Sequence, residues 1–121
     1  HRHGAVKATR LTRLAGKIAR NRVATGWYQR RCDCICQQLV ATTGHSWSEL
    51  ISKRRSRDLA RARQAGMYLL LTHTNMNLPQ VGKLFGGRDH STVVHARNKV
   101  TARPGDFADL IETIERQLGV R

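Results

Sequence analysis

The feature that most restricts this chain is a succession of apolar stripes at helical spacing, each opened or closed by a residue that caps a helix. Ser46-Trp47-Ser48-Glu49 has the capping-box order, and Asn77 stands three residues before Gln80 in the same arrangement. In such a box a short polar side chain and a carboxylate or amide three residues on satisfy each other's backbone N–H groups. No segment shows a strand-like pattern, no internal repeat occurs, and there is no low-complexity tract. A chain punctuated in this way buries its stripes by packing short helices on one another, so the expected fold class is all-α, a helical bundle.

The stripes can be followed along the chain. Over residues 6–23, Leu11, Leu14, Ala15, Ile18 and Ala19 recur at helical spacing, while Arg10, Arg13, Lys17 and Arg20 lie mostly off that line. This is a basic amphipathic helix, which Gly26 is expected to break, with Trp27 and Tyr28 packing at the junction. A second helix gathers Cys32, Ile35, Cys36, Leu39 and Val40 on one face and ends on Gly44. After Ser46 a short turn of helix carries Trp47, Leu50 and Ile51. The polar run Lys53-Arg54-Arg55-Ser56-Arg57 reads as a loop. From Asp58, the residues Leu59, Ala62, Gly66, Met67 and Leu70 mark a long helix ending near His73. Asn77 opens the next helix, with Pro79 in its first turn, where a missing N–H costs nothing. It presents Val81, Leu84 and Phe85 and stops at Gly86-Gly87. Asp89 caps a helix from His90 to about Thr101, packed through Val93, Val94 and Val100. Pro104-Gly105 ends it, and Phe107, Leu110, Ile111, Ile114 and Leu118 define a last helix, read as core or as a dimer seam.

Charge narrows the function. The 121 residues carry 22 Lys and Arg against 8 Asp and Glu, a formal +14. A field of that sign gathers polyanions, with nucleic acid first, anionic membrane surface and acidic protein behind it. The excess is uneven: residues 1–31 hold nine basic side chains and no acid, whereas residues 104–121 hold two against four. The tail is therefore expected to lie off the polyanion-binding surface. Two segments follow from this, a basic helical extension over 1–31 and a binding domain over 32–121. No apolar run approaches the roughly 18–20 residues that span a bilayer, and the N-terminus has no signal-peptide core. The expected location is the cytoplasm, on the bacterial nucleoid.

Cys32, Cys34 and Cys36 fall in one stretch as C-x-C-x-C, an odd number that does not read as a disulfide framework. The spacing also lacks the C-x₂₋₄-C pair of a zinc site. On a helix Cys32 and Cys36 share the apolar face and read as core packing, while Cys34 does not. His90 and His95 stand five apart, off metalloprotease spacing. No metal, cofactor or catalytic residue is expected.

Two short helices joined by Gly86-Gly87-Arg88-Asp89 have the layout of a helix-turn-helix, whose second helix enters the major groove with its first residues at the base edges. Asp89, His90, Ser91 and Thr92 are short polar side chains able to donate, accept or touch a thymine methyl. The N-terminus of their helix adds an attraction for phosphate.

The run Gly86-Gly87-Arg88-Asp89-His90-Ser91-Thr92-Val93-Val94-His95-Ala96 resembles the signature of the C-terminal DNA-binding domain of DnaA, the bacterial replication initiator. Ser52-Lys53-Arg54-Arg55-Ser56-Arg57 resembles that family's basic loop. Ala62-Arg63-Gln64-Ala65 with Met67-Tyr68-Leu69 is similar to its long helix, and Leu78-Pro79-Gln80-Val81-Gly82 to the start of its first helix-turn-helix helix. The likeness runs from about Cys36 to Val100, with all four blocks in order.

The resemblance implies a role for each matched position. Arg55 would enter the minor groove of an A·T-rich half, where a narrow groove concentrates negative potential. Asp89, His90 and Ser91 would read the adjacent major groove. Lys53, Arg54, Arg57, Gln64, Pro79 through its backbone, Arg88, Thr92 and His95 would lie near phosphates and fix register. Arg63 is left between a groove and a neighbouring acid such as Asp58. Ser91 stands where the family more often has Thr; the absent methyl is worth about 0.8 kcal/mol if buried, enough to relax a preference. Leu71 takes a place where some relatives have a base-contacting Lys, and His73 replaces an apolar residue. The preferred site is thus expected to differ from the usual DnaA box.

A complete initiator also carries an ATPase module with a G-x-x-x-x-G-K-[ST] phosphate loop, and none occurs in this sequence. Residues 1–31 do not resemble the initiator's linker. The chain is then either a fragment of an initiator or a separate regulator that uses the same DNA reader, as activators of gene transfer agents and some phage regulators do. Expected partners are double-stranded DNA and, through the N-terminal or C-terminal helix, the transcription or replication machinery. Two rival readings are an RNA-binding basic protein and an adaptor that holds another protein through helix 6–23.

Overall fold

A computed structural model describes residues 26–119. The helix expected over 6–23 and the side-chain packing of Trp27 and Tyr28 lie outside what it describes. Six helices occur among the described residues: α1 (Gly26–Thr43), α2 (Trp47–Ile51), α3 (Arg57–His73), α4 (Leu78–Leu84), α5 (His90–Ala102) and α6 (Pro104–Leu118). No strand occurs among them, and the fold is all-α.

Capping chemistry sets most of the boundaries. Ser46 and Asn77 both complete their boxes: the Ser46 hydroxyl accepts from the Glu49 N–H and the Asn77 side chain from the Gln80 N–H. Ser56 caps α3 and Asp89 caps α5 in extended backbone. Gly44 leaves α1 at φ 79 and donates its N–H to the Val40 carbonyl at 3.0 Å, a left-handed exit that glycine adopts without penalty.

Gly26 is the first described residue of α1, and the compositional step after residue 31 falls inside that helix. Charge changes there, but backbone hydrogen bonding does not. Likewise Pro104 opens α6 as well as closing α5, because a proline at the first helical position loses no intrahelical bond.

The long helix α3 is the axle. It packs against α1, α2, α4, α5 and α6, and eight of its residues, from Leu59 to Leu70, are buried. Ile35 and Leu39 of α1, Val81 and Leu84 of α4, Val93 of α5 and Ile114 of α6 close the core around it. Phe85, fully buried, meets the Trp47 ring at 5.3 Å between centroids, a tilted pair of the kind aromatic quadrupoles favour. Cys32 and Cys36 are buried as the periodicity predicts, and the Cys32 thiol sits 3.6 Å from the Met76 sulfur. A hydrogen bond with the Cys32 thiol, and then burial, push the Cys36 pKa well up. The last helix belongs to the core through Phe107, Leu110 and Ile114. His73, at the end of α3, meets Glu115 of α6 at 2.9 Å with both side chains mostly covered, which accommodates a polar residue at that position.

Candidate nucleic-acid interface

Helices α4 and α5 form a helix-turn-helix, and two close approaches explain its glycines. The turn folds back over Gly82, whose carbonyl accepts from the Arg88 N–H at 2.8 Å; a Cβ on Gly82 would stand 2.2 Å from the Arg88 carbonyl oxygen. Gly86 has φ 86 and lies against the end of α2, where a Cβ would meet the Ile51 carbonyl oxygen at 2.2 Å. Any side chain at either place would push the turn away from its support.

That second approach brings the turn beside the basic loop. Ile51 is followed by Ser52 and then by Lys53, Arg54 and Arg55, all three exposed. The Arg88 guanidinium reaches across, donating from Nη2 to the Ser52 carbonyl at 2.7 Å and from Nη1 to the Phe85 carbonyl. A cleft of about 640 Å³ opens between the two elements, lined by Lys53, Arg55 and Gln64 on one side and by Gly87, Thr92 and His95 on the other. No residue of α6 lines it, in keeping with the acidic balance of the tail.

The residues singled out from the sequence fall into three groups. Lys53, Arg55, Gln64, Thr92 and His95 meet at the cleft, and Asp89, His90 and Ser91 stand exposed beside it on the first turn of α5. Among the described residues the Arg55 guanidinium has no protein partner, so it is available to a ligand. Arg57 is exposed on the first turn of α3, and Pro79 on the first turn of α4. Arg54 is exposed but leans on Glu49, with Nη1 3.2 Å from the carboxylate.

Arg63 is 7% exposed, lines the same cleft, and pairs with backbone rather than with Asp58. Its guanidinium donates to four backbone carbonyls: Leu50 at 2.7 Å, Arg54 at 2.8 Å, Glu49 at 2.9 Å and Ser52 at 3.0 Å. These tie the end of α2 and the start of the basic loop to α3, adding to the Ser52 N–H and hydroxyl on the Glu49 carbonyl and to Arg88 on the Ser52 carbonyl. Burial, and then the nearby Arg88 charge, lower the Arg63 pKa. Arg88, too, spends part of its guanidinium on carbonyls, and burial lowers its pKa. Sequence spacing could not have found this, because every partner is a main-chain oxygen.

The first turn of α5 is internally organised. The Asp89 carboxylate accepts from the Ser91 N–H at 3.3 Å and from the Ser91 hydroxyl, and His90 Nδ1 lies 3.5 Å from its other oxygen. The Ser91 side chain and backbone hold the Asp89 pKa below its usual value. Asp89 therefore acts first as a cap that orients its two neighbours. Further along, Thr92, His95 and Lys99 are all exposed at helical spacing of three and four. Lys99 extends that row by one turn, and the same periodicity that marks the buried stripe could have found it.

A family model described as bacterial dnaA protein helix-turn-helix matches residues 32–100. Over 76 residues the chain is 49% identical to the chromosomal replication initiator protein DnaA of Bradyrhizobium sp. (strain ORS 278), an overlap covering 60% of this chain and 16% of that protein. Against the DnaA protein of Rhodopseudomonas palustris (strain TIE-1) it is 43% identical over 86 residues, 68% of this chain and 18% of that one. Against that of Nitrobacter hamburgensis it is 45% identical over 76 residues, 60% and 16% respectively. The chain thus spans under a fifth of the length of these relatives. Among the described residues no helix is long and apolar enough to cross a membrane. With a helix-turn-helix flanked by a basic loop, and a family model matching residues 32–100, which hold that loop and almost all of the helix-turn-helix, the chain belongs to the bacterial DnaA helix-turn-helix family, a non-catalytic domain that binds double-stranded DNA.

Proposed function

We propose that the domain recognises duplex sequence through two adjacent grooves, at sites similar to DnaA boxes, and acts there as a regulator of transcription or of replication initiation. Arg55 takes the minor groove of an A·T-rich half, Asp89, His90 and Ser91 take the neighbouring major groove, and Thr92 lies toward a phosphate. Lys53, Arg54, Arg57, Gln64, Pro79, His95 and Lys99 lie toward phosphates and set register without reading bases.

The observation that carries this reading is the shared wall between loop and turn. Gly86 packs on Ile51 and Arg88 holds Ser52, so Arg55 and the first turn of α5 open on the same cleft. One duplex can meet both, as it could not if they lay on opposite faces. The Ser91 side chain lacks the methyl that Thr would offer a thymine, which supports a site related to the DnaA box but less strict at one position.

Selection of bound sequences from a pool of random duplexes tests the reading. Enrichment of a short motif with an A·T-rich end, bound at physiological salt well above random duplex, is the expected result. Equal binding to every duplex, or to duplex RNA as well as DNA, would leave only a basic polyanion binder. Mapping of bound sites across a bacterial genome then separates promoters from an origin.

A further inference from the structure

We infer that Arg88 is a positioning residue, which fixes the distance between the minor-groove arm and the major-groove helix and thereby tunes which sites are accepted. This rests on the two-groove reading above and goes beyond it by assigning the part that couples the two readers.

Arg88 is the last residue before the Asp89 cap, so its backbone moves with α5. Its side chain is anchored elsewhere, through Nη2 on the Ser52 carbonyl at 2.7 Å. Three residues beyond Ser52 stands Arg55. The opposite side of that loop is already fixed, since Arg63 of α3 holds the Glu49, Leu50, Ser52 and Arg54 carbonyls. The Ser52 hydroxyl tightens it further, donating to the Glu49 carbonyl at 2.7 Å and accepting from the Arg54 N–H at 3.2 Å. Segment 49–54 is therefore stapled to α3 by one guanidinium and to the helix-turn-helix by another.

The chemistry needs arginine. A planar fork can hold the Phe85 and Ser52 carbonyls together, whereas an ammonium is a compact charge that cannot reproduce that geometry. A lysine at this place would keep a charge for any nearby phosphate but lose the bridge. The substitution Arg88→Lys thus separates positioning from phosphate contact, and Arg88→Ala removes both.

The test uses the full chain, with thermal unfolding as a control for folding, on the selected site and on random duplex, across a salt series. Positioning predicts that Arg88→Lys loses roughly tenfold on the selected site, the scale of one weakened base contact, keeps its affinity for random duplex, and keeps its salt slope. The discrimination lost should lie at the A·T-rich end and should not add to the loss from Arg55→Ala, because both act on the same contact. In the free protein, amide exchange at residues 52–56 should rise. The inference is overturned if Arg88→Lys matches the unaltered chain while Arg88→Ala weakens all duplexes alike and lowers the salt slope by about one, which is a phosphate contact. It is also overturned if exchange at 52–56 does not change. If the unaltered chain itself shows no preference among duplexes, the two-groove reading fails first and takes this inference with it; exchange in the free protein distinguishes the two failures, since it is independent of DNA.

Discussion

Arg63 and Arg88 donate to the same backbone carbonyl, that of Ser52, at 3.0 and 2.7 Å from two different elements of the fold. One guanidinium comes from the central helix and the other from the turn of the helix-turn-helix. Two like charges converge there because main-chain oxygens, rather than carboxylates, absorb them. The consequence is that a loop rich in exposed cations is rigidly supported at its base while its tip stays open to a ligand.

The Arg63 staple should be chiefly structural. Arg63→Ala takes this donor from the Leu50 and Arg54 carbonyls, while the Ser52 carbonyl keeps Arg88 and the Glu49 carbonyl keeps the Ser52 N–H and hydroxyl; the expected loss is about 2–4 kcal/mol of stability. Urea unfolding checks it. A loss below about 0.5 kcal/mol, within the scatter of ordinary surface changes, would mean that solvent replaces the guanidinium freely.

The two glycines of the turn should behave differently although both have positive φ. At Gly86 a Cβ would meet the Ile51 carbonyl oxygen at 2.2 Å, whereas at Gly87 it would meet nothing within 4 Å. Gly87→Ala should therefore cost only the left-handed backbone penalty, about 1–2 kcal/mol. Gly86→Ala adds displacement of the loop and should weaken specific binding as well. Equal effects of the two on unfolding and on DNA affinity would show that the turn does not lean on α2.

Acid should weaken the first turn of α5. Asp89 has a lowered folded pKa because Ser91 hydrogen bonds favour its charged form, so its contribution is present above the unfolded carboxylate value. It is lost as pH falls from about 4 through the folded pKa. Glu49, lowered by the backbone N–H of Ser46 in the box that opens α2, follows the same sign. A stability profile should fall over that window in the unaltered chain and less steeply in Asp89→Asn. Identical slopes in both chains would remove Asp89 from the acid response.

The two readers should be separable by substitution. Arg55→Ala is expected to weaken the selected site by about 1–3 kcal/mol and to blur preference at its A·T-rich end. His90→Ala should do the same at the other end. Competition titrations with duplexes altered at single positions give both values. A loss that is uniform across specific and random DNA would move either residue from the bases to the phosphates.

How much of this was legible beforehand follows from which forces are local. The capping boxes at Ser46 and Asn77, the Asp89 cap and the glycine exits are interactions within four residues, so the sequence determined them, and the stripes of α1 and α3 settled the core and the all-α class. Exposure of Lys53, Arg55 and His90 followed from the same patterning. What only the tertiary structure decided is the use of long-range hydrogen bonds. Arg63 and Arg88 have the composition of DNA contacts, yet they spend their donors on carbonyls 36 residues or fewer away, such as Ser52. A main-chain oxygen has no sequence signature, so which cations face solvent and which hold the scaffold becomes fixed only when α2, α3 and the turn are packed together.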